Sequence, residues 1–114
     1  MRIVSGKHKG RVLKTFKGDD IRPTSDRAKE ALFNILGFKI VNSNFLDMFS
    51  GTGSMGIEAI SRGAKKVTLV DSSFDSIKII KDNLSLIKEN ANVENLSADV
   101  FLKKTADKFD IIFF

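Results

Sequence analysis

Three glycines, Gly51, Gly53 and Gly56, stand in the stretch "LDMFSGTGSMGIEA", with Asp47 four residues before the first and Asp71 twenty after it. This G-x-G-x-x-G spacing at the end of an apolar run lets a backbone turn tightly and approach a ligand. An acid about twenty residues further on is placed to accept from two ribose hydroxyls. A nucleoside suits this arrangement, and a simple packing turn is the alternative. Asp47 then selects among nucleosides, because a carboxylate at the mouth of the site repels a pyrophosphate and attracts a cation. S-adenosylmethionine carries an ammonium and a sulfonium and has no phosphate. Its own carboxylate suits the N–H groups of a helix start near Ser54 and Met55. A dinucleotide oxidoreductase is disfavoured on the same ground. Taken alone, Asp47 also reads as a strand-end acid capping the loop.

A further acid, Asp99 in "SADVF", can accept from an adenine amino group while the Val100 N–H addresses a ring nitrogen. An N-cap role for Asp99 ahead of a helix is equally open. Ser50 and Thr52 in the turn and Ser72 beside Asp71 complete the candidate cofactor-binding set. His8, the one histidine, sits among lysines in a turn, which suits a solvated or phosphate-touching role. With one His and no Cys, no transition-metal site is expected.

The elements that must hold these residues follow from periodicity. Alternation and apolar runs predict strands near residues 45–50, 67–71, 93–97 and 109–114, with helices near 54–62, 74–88 and 100–106. In the second helix Phe74, Ile77, Ile80, Leu84 and Ile87 recur at threes and fours, opposite Lys78, Lys81, Asp82 and Lys88. Gly63 suits the left-handed cap of the helix before it. Strands separated by helices imply parallel pairing and an open doubly wound sheet, with the ligand beyond the strand carboxyl ends where strand order reverses. Ahead of this lies "RIVSGKHKGRVLKTF", which reads as a two-stranded hairpin through Ile3, Val4, Val12 and Leu13. "RPTSDRAKEALFNILGF" reads as a helix capped by Thr24 or Ser25 and stopped by Gly37, with Ala28, Ala31, Leu32, Ile35 and Leu36 on its apolar face. The division is therefore 1–40, a basic hairpin and helix, and 45–114, a Rossmann-like unit, joined by "VNSN".

Charge separates these parts. Residues 1–29 hold nine bases against three acids, whereas the remainder holds ten bases and eleven acids, so the net charge of +5 resides in the N-terminal quarter. That is the pattern of a polyanion-binding arm on a near-neutral body, and a solvated hairpin is the plainer alternative. A length of 114 residues with 42% apolar content allows one core, and no segment reads as a signal peptide or membrane span. A cytoplasmic protein is expected.

In order and spacing, "MRIVSGKHKGRVLKTF", "RPTSDRAKEALFNIL", "FLDMFSGTGSMGIEAISRGAKKVTLVDSS" and "FDIIFF" resemble the RsmD family of bacterial 16S ribosomal RNA guanine-N2 methyltransferases. The resemblance implies a class I methyltransferase fold, a doubly wound parallel sheet ending after its fourth strand, preceded by a β-hairpin and helix. It implies S-adenosylmethionine as methyl donor and a guanine amine of small-subunit ribosomal RNA, or of a 30S assembly particle, as acceptor, with no metal and no membrane. Asp47 and the 51–56 turn then resemble the methionine site, Asp71 the ribose ligand, and Asp99 with Val100 the adenine contacts. Lys7, Lys9, Arg11, Arg22, Thr24 and Arg27 fall in the segment that meets RNA. The family's Asp/Asn-Pro-Pro-Tyr/Phe motif is expected directly after Phe114, so no catalytic residue is assigned within residues 1–114. By that expectation these residues alone transfer no methyl group, and the apolar run 109–114 leaves an aggregation-prone edge. A non-catalytic binding module for S-adenosylmethionine or RNA, and a DNA amino-methyltransferase, are the rival readings.

Overall fold

The computed structural model describes residues 1–16 and 25–114. Its centre is one sheet of four parallel strands, β1 (Asn44–Asp47), β2 (Lys66–Val70), β3 (Asn92–Glu94) and β4 (Ile111–Phe113), in the order β3-β2-β1-β4. Strand order reverses between β1 and β4, so the switch point lies at the carboxyl end of β1, where Asp47 sits. The helices are α1 (Asp26–Leu36), α2 (Ser54–Ser61), α3 (Phe74–Leu86) and α4 (Ala98–Lys104), and a 3-10 turn spans Gly37–Ile40.

Period-two alternation divides the core into two layers. Phe45, Val67 and Leu69 pack with Ile57, Ile77 and Ile80 of α2 and α3 on one face. Leu46, Met48 and Val70 pack with Phe101 of α4 on the other. The helix starts follow one device: Ser25, Ser73 and Ser97 each accept from the N–H three residues on. At the end of α2, Gly63 at φ 106° lets its N–H reach the Ile60 carbonyl and the Ala64 N–H reach Ala59, the paired bonds of a Schellman cap.

Several sequence expectations are corrected. Ser97, not Asp99, caps α4, which therefore begins at Ala98 instead of residue 100. β1 stops at Asp47 because the chain turns there into the glycine loop, although the Met48 and Ser50 N–H groups still reach the Phe113 and Val70 carbonyls. The buried stripe of α1 is Lys29 and Phe33, while Ala28, Ala31 and Ile35 face solvent. A lysine takes the core position because a buried carboxylate awaits it. Phe74 stands exposed at the start of α3. The hairpin contracts to one antiparallel bridge, Arg2 to Val12, with Ile3 and Leu13 pointing into the core and Val12 outward. Ile3, Leu13, Phe33 and Ile40 thus share one hydrophobic cluster with the sheet. No helix among the described residues is long and apolar enough to cross a membrane.

Candidate cofactor site and its basic arm

Asp47 is almost fully buried at the end of β1. Its Oδ2 accepts from the Gly56 N–H at 3.2 Å, whereas Oδ1, equally enclosed, has no hydrogen-bond partner. Burial pushes the carboxyl up to about 7, the neighbouring Asp71 charge adds to this, and the Gly56 N–H opposes it. A buried acid with one oxygen unpaired is costly unless something donates to it. An ammonium group is such a donor, and the residues fit one.

The loop that follows is built by its glycines for two different reasons. Gly51, at φ 55°, has no atom within 4 Å of where a Cβ would stand, so the backbone presents an open face there. Gly56 instead lies against β2, where a Cβ would come within 2.6 Å of Leu69 Cδ2, and its absence lets helix and strand close up. Gly53, at φ 86°, starts α2. Ser50 and Thr52 are buried, and the Ser50 hydroxyl donates to the Asp47 carbonyl at 2.9 Å. Asp71 follows β2 directly; its Oδ2 accepts from the Gly51 N–H at 2.9 Å and its Oδ1 from the Ser73 N–H at 2.8 Å. Each oxygen retains a second lone-pair direction for a ribose hydroxyl. Asp47, the glycine loop, Asp71 and exposed Ser72 therefore lie together at the carboxyl ends of the two central strands.

Asp99 and Val100 lie at the start of α4, both exposed. The Val100 N–H already donates to Ser97 Oγ at 3.3 Å, which corrects the expectation of a free donor there. A cavity of about 740 Å³ lies elsewhere, between α3 and the start of β3, lined by Lys81, Leu84 and Val93 among others, and has no part in this site.

The basic arm is held to the body by polar groups that sequence reasoning missed. Glu58, fully buried in α2, accepts from the Val4 N–H at 2.9 Å, the Ser5 N–H at 3.1 Å and Arg62 Nε at 2.8 Å. Lys29 Nζ lies 3.4 Å from the same carboxylate. Gly6, at φ 87°, passes so close to α2 that a Cβ would stand 2.1 Å from the Ser61 carbonyl. The Glu58–Arg62 spacing, i to i+4, was the one local signal of this cluster. Among the expected RNA contacts, Lys7 Nζ pairs with Glu89 at 2.7 Å and Arg11 donates to the Leu86 carbonyl at 2.7 Å. Lys7 beside Glu89 holds that carboxyl below its ordinary range. His8 is corrected as well: it is mostly buried, with Nε2 2.6 Å from Glu89. Lys9 and Arg27 are exposed, and Arg22 and Thr24 lie outside the described residues.

Comparison with known proteins agrees with this geometry. The family model described as Conserved hypothetical protein 95 matches residues 1–114. The chain is 42% identical over 118 residues to the Ribosomal RNA small subunit methyltransferase D of Haemophilus influenzae, covering 99% of this chain and 61% of that protein. The Escherichia coli K12 protein of the same name is 39% identical over 114 residues, covering 99% and 58%. A solved structure of the Escherichia coli protein yhhF superposes with a TM-score of 0.89 at 36% identity, covering 99% of this chain and 62% of that one. The chain thus spans about three fifths of the length of these two relatives. Its fold is that of class I methyltransferases.

Proposed function

Because this chain belongs to the RsmD family, matched by the model for Conserved hypothetical protein 95, we propose that it binds S-adenosylmethionine as the cofactor-binding part of a methyltransferase acting on the exocyclic N2 of a guanine in small-subunit ribosomal RNA, and that residues 1–114 alone transfer no methyl group. The observation that carries the cofactor reading is the buried Asp47 carboxylate with its unpartnered Oδ1 at the switch point. S-adenosylmethionine supplies a methyl group on a sulfonium, open to in-line displacement by an amine. This chain's residues bind and orient. Asp47 accepts from the ammonium, and the N–H groups of Ser54 and Met55 at the start of α2 suit the carboxylate. Asp71 receives the ribose hydroxyls while holding Gly51 in place, and Asp99, exposed at the start of α4, accepts from the adenine amino group. Lys9, Arg27 and the neighbouring bases of the arm take the RNA phosphates. Alignment of donor and acceptor is the main catalytic contribution asked of such a site.

Calorimetric titration separates this reading from its rivals. S-adenosylhomocysteine binds and NAD does not, because Asp47 pairs with the ammonium of the former and repels the pyrophosphate of the latter; the reverse order of affinities overturns the reading. The acceptor is tested by incubating the protein, beside a version that carries the family's Asp/Asn-Pro-Pro-Tyr/Phe motif, and labelled S-adenosylmethionine with undermethylated small-subunit particles and digesting the RNA. Label in N2-methylguanosine supports the proposal. Label in another nucleoside, or in a DNA control, removes the guanine assignment.

A further inference from the structure

Two fully buried polar side chains outside the cofactor site connect it to the arm. Asn83 of α3 accepts from the Lys14 N–H at 2.7 Å and donates to the Lys14 carbonyl at 3.0 Å, so its amide pairs with the arm as another strand would. The same amide nitrogen donates to the Thr52 carbonyl, in the glycine loop, at 3.1 Å. Lys29 of α1 repeats the pattern with different chemistry: its Nζ donates to the Arg2 carbonyl at 2.8 Å and to Ser54 Oγ at 3.0 Å, beside Glu58. Thr52 Oγ1 also faces Met1 Sδ at 3.2 Å. The loop is gripped on both sides of Gly53, the residue whose positive φ makes the turn, and both grips run through the arm.

We propose that Asn83 and Lys29 are positioning residues for the cofactor loop, and that docking of the arm is a condition for a fully formed cofactor site. This coupling rests on the cofactor reading above and extends it. If residues 1–16 of the arm lift from α1 and α3, Asn83 loses two of its three partners and Lys29 loses Arg2, so both side chains are left with buried polar atoms unmet and no longer fix Thr52 and Ser54. A ligand held by the Gly51–Gly56 backbone binds the docked state better, and by linkage it stabilises docking. Neither side chain touches the ligand in this scheme; both act through the loop backbone.

Hydrogen exchange on the unaltered protein tests this without any variant. Saturation with S-adenosylhomocysteine slows exchange at the Val4, Ser5 and Lys14 amides, which donate to Glu58 and Asn83 away from the ligand. Unchanged exchange at these amides, with bound ligand proven by calorimetry, overturns the coupling and leaves the cofactor reading intact. Failure of the unaltered protein to bind S-adenosylhomocysteine overturns both. As a second arm, Asn83→Ala and Lys29→Met weaken the ligand about five- to thirty-fold, the lower part of the range for coupled sites, while Val12→Ala, an exposed change on the same hairpin, leaves it unchanged. Where Asn83→Ala folds and binds as tightly as the parent, the positioning role is lost; where it does not fold, the exchange experiment decides.

Discussion

The Asp47 carboxylate carries opposite consequences for binding and for stability. Its folded pKa of about 7 lies above the ordinary value of 3.8, so the native state holds a proton that the unfolded chain releases. The resulting penalty is absent below the unfolded value, grows as pH rises between the two, and is constant above about 7. Asp47→Asn keeps the shape without the charge. It is expected to melt at a higher temperature than the parent at pH 8, with the difference vanishing towards pH 4, as scanning calorimetry at several pH values will show. The same variant loses affinity for S-adenosylhomocysteine, and the parent's affinity rises with pH up to about 7 and then levels, because only the ionised acid pairs with an ammonium. An affinity flat from pH 5.5 to 8 rules out this role. Asp71→Ala, which removes the acceptor for Gly51 N–H as well as the proposed ribose ligand, weakens binding by roughly 1–3 kcal/mol while preserving the fold. Unchanged affinity in that variant excludes the ribose role.

At the scale of elements, what was legible in the sequence depended on how far each residue reaches. The glycine loop, the α3 stripe from Ile77 to Ile87 and the Gly63 cap are local arrangements, and spacing alone announces them. The α1 face was misread because Lys29 is interpretable only with Glu58, which sits 29 residues later on another helix. Asn83 falls in the apolar stripe of α3, between Ile80 and Ile87, and its polar role shows only when Lys14, 69 positions earlier, is placed against it. Polar residues that serve the core through distant partners have no periodic signature. This cluster also supports a direct prediction. Removing one member of a buried ion pair strands the others, so Glu58→Ala destabilises the protein by roughly 3–5 kcal/mol. Denaturant titration of Glu58→Ala, Lys29→Met and the double variant measures the coupling; strict additivity would mean the pair does not interact. Gly6→Ala, forced against the Ser61 carbonyl at a positive φ, undocks the arm and exposes it to protease while the sheet remains folded.

For the whole molecule, net charge and available charge are different quantities. The excess positive charge lies in residues 1–29, but Arg2, Lys7 and Lys14 already face Asp26, Glu89 and Asp82, and Lys29 is sealed in the core. The pairs made by Arg2 and Lys14 are solvent-exposed and contribute little each, so a phosphate that approaches can replace the carboxylate at small cost, whereas Lys7 meets a Glu89 that is largely enclosed and also bound by His8. The arm is therefore a basic surface whose backbone is fixed by buried anchors and whose side chains are loosely held. Docking and RNA binding separate accordingly. Neutralising Lys7, Lys9 and Arg11 together lowers RNA affinity and makes its salt dependence shallower, by about 0.7 in log–log slope for each phosphate no longer neutralised on single strands and about 0.9 on duplexes. S-adenosylhomocysteine affinity changes little, because Asn83, Lys29 and Glu58 still hold the arm. Filter binding across a salt series, beside calorimetry on the same preparation, reads both quantities. A triple variant with the parent's slope returns the arm to a solvated hairpin, whereas parallel loss of RNA and cofactor affinity shows that the tip, and not the buried anchors, keeps the arm docked.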